Sequence, residues 1–155
     1  MRRALFAVAF LAGLASCMAP PSQSQRVTES AREMNLATRF GRMDLALTHT
    51  AKGAGQSFIE RRTEWGKRVR IVDVELAGLS MKDELNATVQ VDVSWVWVDD
   101  DTLRSTRIAQ QWRDDGGWHL VREQRMAGEL GLFGEPVMTT RTETADVQFP
   151  SKTIR

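Results

Sequence analysis

Three side chains in this sequence have the chemistry needed for proton transfer. His119 follows Trp118 on the last predicted strand, and Asp73 and Asp92 lie on two other predicted strands. A histidine held against a carboxylate can act as a general base near neutral pH. The alternative is that His119 lies on an exposed face and both aspartates are solvated. We prefer this alternative, because the sequence shows no paired catalytic constellation.

Other reactive residue types are scarce. The chain has two histidines, His49 and His119, one cysteine, Cys17, and no tyrosine. A zinc site needs three or four histidine, cysteine or carboxylate ligands. We therefore predict no metal site, and we expect no bound cofactor.

Four of the five tryptophans lie between residues 86 and 125. Trp95, Trp97 and Trp112 could form an aromatic platform for a sugar or a lipid. Core packing is the commoner role of such side chains, and burial of each contributes about 2–3 kcal/mol. We expect core packing for all three, with a binding platform as the alternative.

Trp95 and Trp97 lie in residues 86–98, a segment in which apolar and polar residues alternate. One face carries Ala87, Val89, Val91, Val93, Trp95 and Trp97, and polar residues occupy most of the other. This alternation predicts a half-buried strand of an antiparallel sheet. A strand of this length spans about 43 Å, so we expect a bend or a bulge. Val96 and Val98 make the second face apolar at its end, which predicts a cover on both sides or a contact with another chain.

Three further strands are predicted at residues 69–79, at residues 103–112 and from Trp118 onward. Short turns at residues 82–84, 99–101 and 114–117 join them into a meander. Helices are predicted before the strands near residues 28–40, 44–51 and 57–67, and the first two could instead form one kinked helix. Possible capping boxes begin at Ser30 and Ser57, and Leu36, Phe40, Met43 and Leu47 form an apolar stripe. Residues 128–134 are predicted to be a loop that closes one end of the core.

The start of the chain has the pattern of an export signal. Two arginines precede an apolar run from Ala4 to Leu14, which is too short to span a bilayer. The run ends in Leu14-Ala15-Ser16-Cys17, which resembles the lipobox of bacterial lipoproteins. This resemblance implies cleavage before Cys17, a diacylglycerol thioether on its sulfur and acylation of its amine, commonly by palmitate. Two or more acyl chains anchor a protein stably. Position 18 is methionine and not aspartate, which by the same resemblance favours the outer membrane over the inner.

The predicted domain boundaries follow from these patterns. Residues 1–16 are a signal peptide, residues 17–26 a lipidated tether, residues 27–135 one α+β domain, and residues 136–155 a polar tail expected to be disordered. Two of the 21 basic residues lie in the signal peptide, so 19 basic and 20 acidic side chains remain. This near-neutral balance argues against a nucleic-acid binder.

A basic cluster lies at the start of the first predicted strand. It comprises Arg61, Arg62, Lys67, Arg68 and Arg70. These side chains could contact anionic lipid headgroups. A solvated helix face balanced by Glu60 and Glu64 is the interpretation we prefer.

The order of helices, strand and three-stranded meander, with Asp115-Gly116-Gly117-Trp118 in the last hairpin, resembles the NTF2-like (SnoaL-like, cystatin-like cone) superfamily. The resemblance covers residues 27–126. It implies helices packed on a curved antiparallel sheet around a conical pocket. Members include isomerases, dehydratases and cyclases as well as binding and assembly modules, so the fold does not choose between these functions.

Three functions follow as hypotheses. The first is a non-catalytic, lipid-anchored envelope protein facing the periplasm, which binds a partner protein or a small apolar ligand, with a homodimer through the sheet as one form of partner. The second is a periplasm-facing isomerase or dehydratase that uses His119 with Asp73 or Asp92. The third is a structural subunit of an envelope complex.

Overall fold

The computed structural model describes residues 20–137 and shows an α+β fold. Three helices precede one antiparallel sheet of four strands in the order β1-β2-β3-β4. The elements are α1 (Gln23–Arg39), α2 (Met43–Thr48), α3 (Gly55–Arg61), β1 (Val69–Met81), β2 (Asn86–Trp97), β3 (Asp100–Asp114) and β4 (Trp118–Gly128). This confirms the predicted fold class. The signal peptide, Cys17 and most of the predicted tail lie outside the described residues.

The core lies between α1 and one face of the sheet. The inward face of β2 is buried from Ala87 to Trp95 at every second residue, as the period of two predicts. In the register, Val91 lies opposite Ile108 and Ala87 opposite Trp112, so β3 contributes the same inward face. Four side chains of α1 complete this layer: Val27, Ala31, Met34 and Ala37.

Bulges curve the sheet. The register between β2 and β3 shifts between Trp95 and Trp97, which agrees with the bend or bulge expected in this long strand. Further shifts occur twice on β1 and twice between β3 and β4. Bulges increase local twist and bend the strand that contains them, so the sheet can wrap around the helices.

Helix α1 begins earlier than predicted. The Ser22 hydroxyl accepts a hydrogen bond from the Gln25 amide at 3.2 Å, and the Gln25 side chain accepts one from the Ser22 amide at 2.8 Å. This reciprocal capping box starts the helix at Gln23, so the predicted start near residue 28 with a cap at Ser30 is wrong. The helix includes residues 23–26 of the predicted tether.

The predicted apolar stripe on this helix is also wrong in its first half. Leu36 is 40% exposed and Phe40 is 70% exposed. The residues of the buried face are Val27, Ala31, Met34, Asn35, Ala37 and Thr38. Asn35 is tolerated there because its side-chain amide exchanges two hydrogen bonds of 3.0 Å with the Gln110 amide on β3.

Helix α3 begins at Gly55 and ends at Arg61, so its predicted bounds of 57–67 are wrong. Ser57 does not cap this helix, because its hydroxyl donates to the Ala54 carbonyl from inside the first turn. The chain then turns and enters β1 at Val69. No helix within residues 20–137 is long and apolar enough to cross a membrane.

The segment after β4 closes one end of the core, as predicted for this loop. Leu132 is fully buried, and the Trp65 indole donates to its carbonyl at 2.7 Å. The Phe133 ring stacks on Trp65 with centroids 6.4 Å apart. The Glu135 carboxylate accepts hydrogen bonds from the amides of Gly131 and Phe133, which holds the turn in place.

A buried ion pair joins α3 to β4. The side chains of Arg62 and Glu123 are 2% and 4% exposed and form a two-point contact, with one bond of 2.8 Å from Nη2 to Oε2. The guanidinium also lies over the rings of Phe58 at 3.7 Å and Trp65 at 4.8 Å. Arg62 therefore does not belong to a solvated basic face, which corrects the prediction for this member of the cluster.

We expect Arg62→Leu to lower the free energy of unfolding by about 3–5 kcal/mol, because it leaves Glu123 buried without a cation. The double variant Arg62→Leu with Glu123→Leu should recover most of that loss, since both charges are then absent. Urea unfolding followed by tryptophan fluorescence measures both values.

Arg68→Leu is the matched control for this experiment. Arg68 is 73% exposed and lies 3.9 Å from Glu64, so its loss should cost less than about 1 kcal/mol. Equal destabilisation of the single and double variants at residues 62 and 123 would contradict a role for the pairing itself.

Candidate functional site

The structure places His119 beside a carboxylate, but not beside either of those considered from the sequence. Its Nδ1 lies 2.5 Å from Asp115 Oδ1 in the same hairpin, and the side chain is 31% exposed. Asp92 instead accepts two hydrogen bonds of 2.6 Å from Arg107. Asp73 accepts one of 2.7 Å from Arg39.

The strand register separates His119 from both aspartates. His119 lies opposite Arg113 on β3, whereas Asp92 lies opposite Arg107, six residues away on the same strand. At about 3.3 Å per residue this separation is about 20 Å. Asp73 pairs with Ser94, which lies two residues beyond Asp92 on β2. Asp73 is therefore farther along the sheet from His119 than Asp92 is. The catalytic alternative, in which His119 pairs with Asp73 or Asp92, does not match this geometry, because a general base must lie within hydrogen-bond reach.

The electrostatics of these groups agree with structural roles. Hydrogen bonds from the Arg107 guanidinium hold the pKa of Asp92 below its usual value, which makes this carboxylate a weaker base. Burial lowers the pKa of His49, whose Nε2 lies 3.4 Å from Glu33. Within residues 20–137, no group of three or more histidine, cysteine or acidic side chains is placed to hold a metal ion.

Buried side chains fill the space between α1 and the sheet, where the resemblance to the NTF2-like superfamily implied a conical pocket. Trp95 is fully buried and Trp112 is 1% exposed, so neither can serve as a binding platform. The Trp95 indole donates to Thr106, whose hydroxyl donates to the Glu129 carbonyl. The Asn35–Gln110 amide pair occupies the middle of the same layer.

An open groove of about 1430 Å³ lies at the end of the sheet that carries the β2–β3 turn. We call it the β2–β3 groove. Its walls come from the end of α3, the β2–β3 turn and the segment after β4. Its apolar lining consists of Trp97, Leu103, Leu130, Phe133, Pro136 and Val137.

The two aromatic rings of this groove are held rigidly. Trp97 packs edge-on against Trp95 with centroids 5.1 Å apart, and its ring also contacts Arg68. Phe133 is fixed by Trp65 on one side and contacts the Arg61 guanidinium, 5.4 Å from the ring centre. Of the three tryptophans considered from the sequence, Trp97 alone lines the groove.

The two valines at the end of β2 have different environments. Val96 is buried, with 5% exposure, and Val98 is 57% exposed on the turn beside the groove. Leu103 and Leu130 on the groove wall are 62% and 42% exposed. An apolar surface therefore does occur at this end of the sheet, as the sequence indicated, but it extends over the turn and the segment after β4.

The free edges of the sheet are partly covered. Arg39 donates to the Val72 carbonyl on β1 at 2.8 Å, beside a bulge. Arg61 donates to the Glu123 carbonyl on β4 at 2.8 Å, and Thr50 forms a bridge with Leu120. Bulges and capped carbonyls discourage the addition of another strand at an edge.

Sequence comparison identifies no relative: no family model and no curated protein matches the chain. Several solved structures resemble the fold, and two of them are as follows. One is a SEC-C motif containing protein from Rhodopseudomonas palustris, with a TM-score of 0.53, 15% identity and coverage of 69% of this chain and 83% of that chain. The other is a possible polyketide cyclase from Xanthomonas campestris pv. campestris, with a TM-score of 0.47, 17% identity and coverage of 67% and 91%. At such low identities only the fold is comparable, and the second TM-score is too low to support any argument. The chain therefore shares an α+β fold with the SEC-C motif containing protein.

Proposed function

We propose that this protein is a non-catalytic, lipid-anchored cell-envelope protein with an NTF2-like domain, which binds a partner protein or a small apolar ligand in the β2–β3 groove. The observation that carries this proposal is the groove itself, an open apolar surface with rigid aromatic rings on a domain with a filled interior. The anchor rests on the lipobox at Cys17, and Met18 favours the outer membrane.

A binding role is also supported by the environment of the acid–base groups. His119 is engaged by Asp115, and about 20 Å of strand separates it from Asp92. Asp73 and Asp92 are each held by an arginine. Their side chains therefore have structural partners in place of a substrate.

The lipid anchor would attach at the end of the domain opposite the groove. The Trp118 indole donates to the Gln23 side chain at 3.3 Å, and Arg26 pairs with Asp114 at 3.1 Å. These contacts hold the start of α1 against the β3–β4 turn. Five residues from Cys17 to Ser22 reach at most about 18 Å, so the β3–β4 turn would lie close to the membrane.

The length of the sheet would then set the distance between the groove and the membrane. Strand β3 has 15 residues, from the groove at Asp100 to the anchored end at Asp114. At about 3.3 Å per residue this is about 45 Å. The groove and the exposed cations Lys67, Arg68 and Arg70 would thus face away from the anchoring membrane. This orientation favours a binding partner in the periplasm over contact with lipid headgroups.

The anchor is tested by Cys17→Ser. Without the thiol no thioether can form, so we expect the protein to remain as precursor or to leave the membrane fraction. Membrane fractionation on a density gradient with intact-mass measurement gives the result, and separates inner from outer membrane. Ser16→Ala keeps a small residue before the cysteine and should behave as wild type. Mature Cys17→Ser protein in the membrane fraction would contradict the lipobox interpretation.

The groove is tested by Leu103→Ala combined with Leu130→Ala. Both side chains are exposed, so the free energy of unfolding should change by less than about 0.5 kcal/mol. Loss of their buried contacts should weaken partner or ligand binding by about tenfold or more. Native mass spectrometry of protein extracted in mild detergent from its own membranes measures the bound species.

The matched control replaces Leu36 and Phe40, which are exposed on α1 outside the groove. Leu36→Ala with Phe40→Ala removes a comparable apolar area and should leave the bound species in place. A bound partner that is retained by the groove variant and lost by the α1 variant would move the binding site to the helix and contradict this proposal.

A further inference from the structure

Three carboxylates around the β2–β3 groove lack a basic partner. Glu60, Asp99 and Glu129 line the groove, and within residues 20–137 none has a cationic side chain within 4.0 Å. Glu60 accepts a hydrogen bond from the neutral Gln56 amide. All three residues are exposed, so a bound partner can reach them.

The cations of the groove are already engaged. Arg104 pairs with Asp100, four residues earlier at the start of β3. Arg68 lies over the Trp97 ring and 3.9 Å from Glu64. Arg61 donates to a backbone carbonyl of β4 and lies over the Phe133 ring. Six acidic and three basic side chains line the groove, so it presents a net negative charge around an apolar floor.

The size of the groove favours an extended partner over a small molecule. Its volume of about 1430 Å³ exceeds the range of about 300–1,000 Å³ that is typical of small-molecule pockets. It is also open to solvent. Arg39 and Arg61 each occupy one backbone carbonyl at a sheet edge, which favours a partner that binds through side chains over one that adds a fifth strand.

We propose that the β2–β3 groove binds a basic polypeptide segment with apolar side chains, supplied by a partner protein in the periplasm. Its apolar groups lie on Trp97 and Phe133, and its lysines or arginines pair with Asp99, Glu129 and Glu60. The inference rests on the proposed function, since it names the partner class for the same groove. Acidic charge at the rim adds specificity and association rate, and the apolar floor supplies affinity.

The test uses two labelled synthetic peptides and the mature lipidated protein in mild nonionic detergent. One peptide alternates lysine with leucine and phenylalanine, and its twin has glutamate in place of each lysine. Fluorescence anisotropy measures binding, with empty micelles as the blank. We expect the basic peptide to bind at least tenfold more tightly than its twin at low salt. The difference should shrink as ionic strength rises, because exposed charges are screened.

Two double variants test whether the basic peptide binds in the groove. Asp99→Asn with Glu129→Gln should weaken binding of the basic peptide by about three- to tenfold, since exposed ion pairs contribute little individually. Glu75→Gln with Glu84→Gln removes the same charge from exposed positions outside the groove and should change binding by less than twofold. Equal weakening by both double variants would show that net charge and not the groove attracts the peptide, which overturns the inference.

Other outcomes also overturn the inference. Equal binding of the two peptides would mean that the groove selects apolar character alone. No binding up to about 1 mM would exclude a basic segment of this kind. Binding of the basic peptide only to a chain that ends at Val137 would assign the groove to residues 138–155. A species retained in native mass spectrometry and lost on Leu103→Ala with Leu130→Ala would preserve the proposed function in each case.

Discussion

The structure depends most on the buried ion pair between Arg62 and Glu123. A guanidinium and a carboxylate removed from water are costly unless each has a well-placed partner. Their two-point contact satisfies this need, and Phe58 and Trp65 cover the guanidinium. The pair joins the end of α3 to β4 and adjoins the Phe133 ring. The wall of the β2–β3 groove is thus built on an interaction that tolerates little displacement.

The sheet could be predicted from the sequence because its signal is local and redundant. Alternation along residues 86–97 identifies the buried face of β2, and short turns then require its neighbours to be antiparallel. The length of β2 indicated a bend or a bulge, and the structure places the irregularity between Trp95 and Trp97. Each of these inferences needs only residues that are close together in the chain.

The helices were predicted less well because their burial depends on distant partners. The apolar stripe placed Leu36 and Phe40 toward the core, whereas the buried face includes the polar residues Asn35 and Thr38. The Gln110 amide on β3 makes Asn35 acceptable in the interior, and it lies 75 residues away. Arg62 is a similar case: aromatic residues at positions 58 and 65 are a local signal, but the decisive partner is Glu123, 61 residues away. The distance between His119 and Asp92 could not be predicted either, because it depends on the register between strands.

The two ends of the sheet have different chemistry, and this polarity connects the fold with the proposed function. Polar contacts of Gln23 and Arg26 hold the start of α1 at one end. The other end carries exposed apolar side chains and acids without cationic partners. A monomer gains no stability from such exposed apolar groups, whereas a binding surface requires them. An anchor at Cys17 would place this surface at the far end of a rigid sheet. With the proposed anchor and partner, the strand length would set the distance from the membrane at which the groove binds.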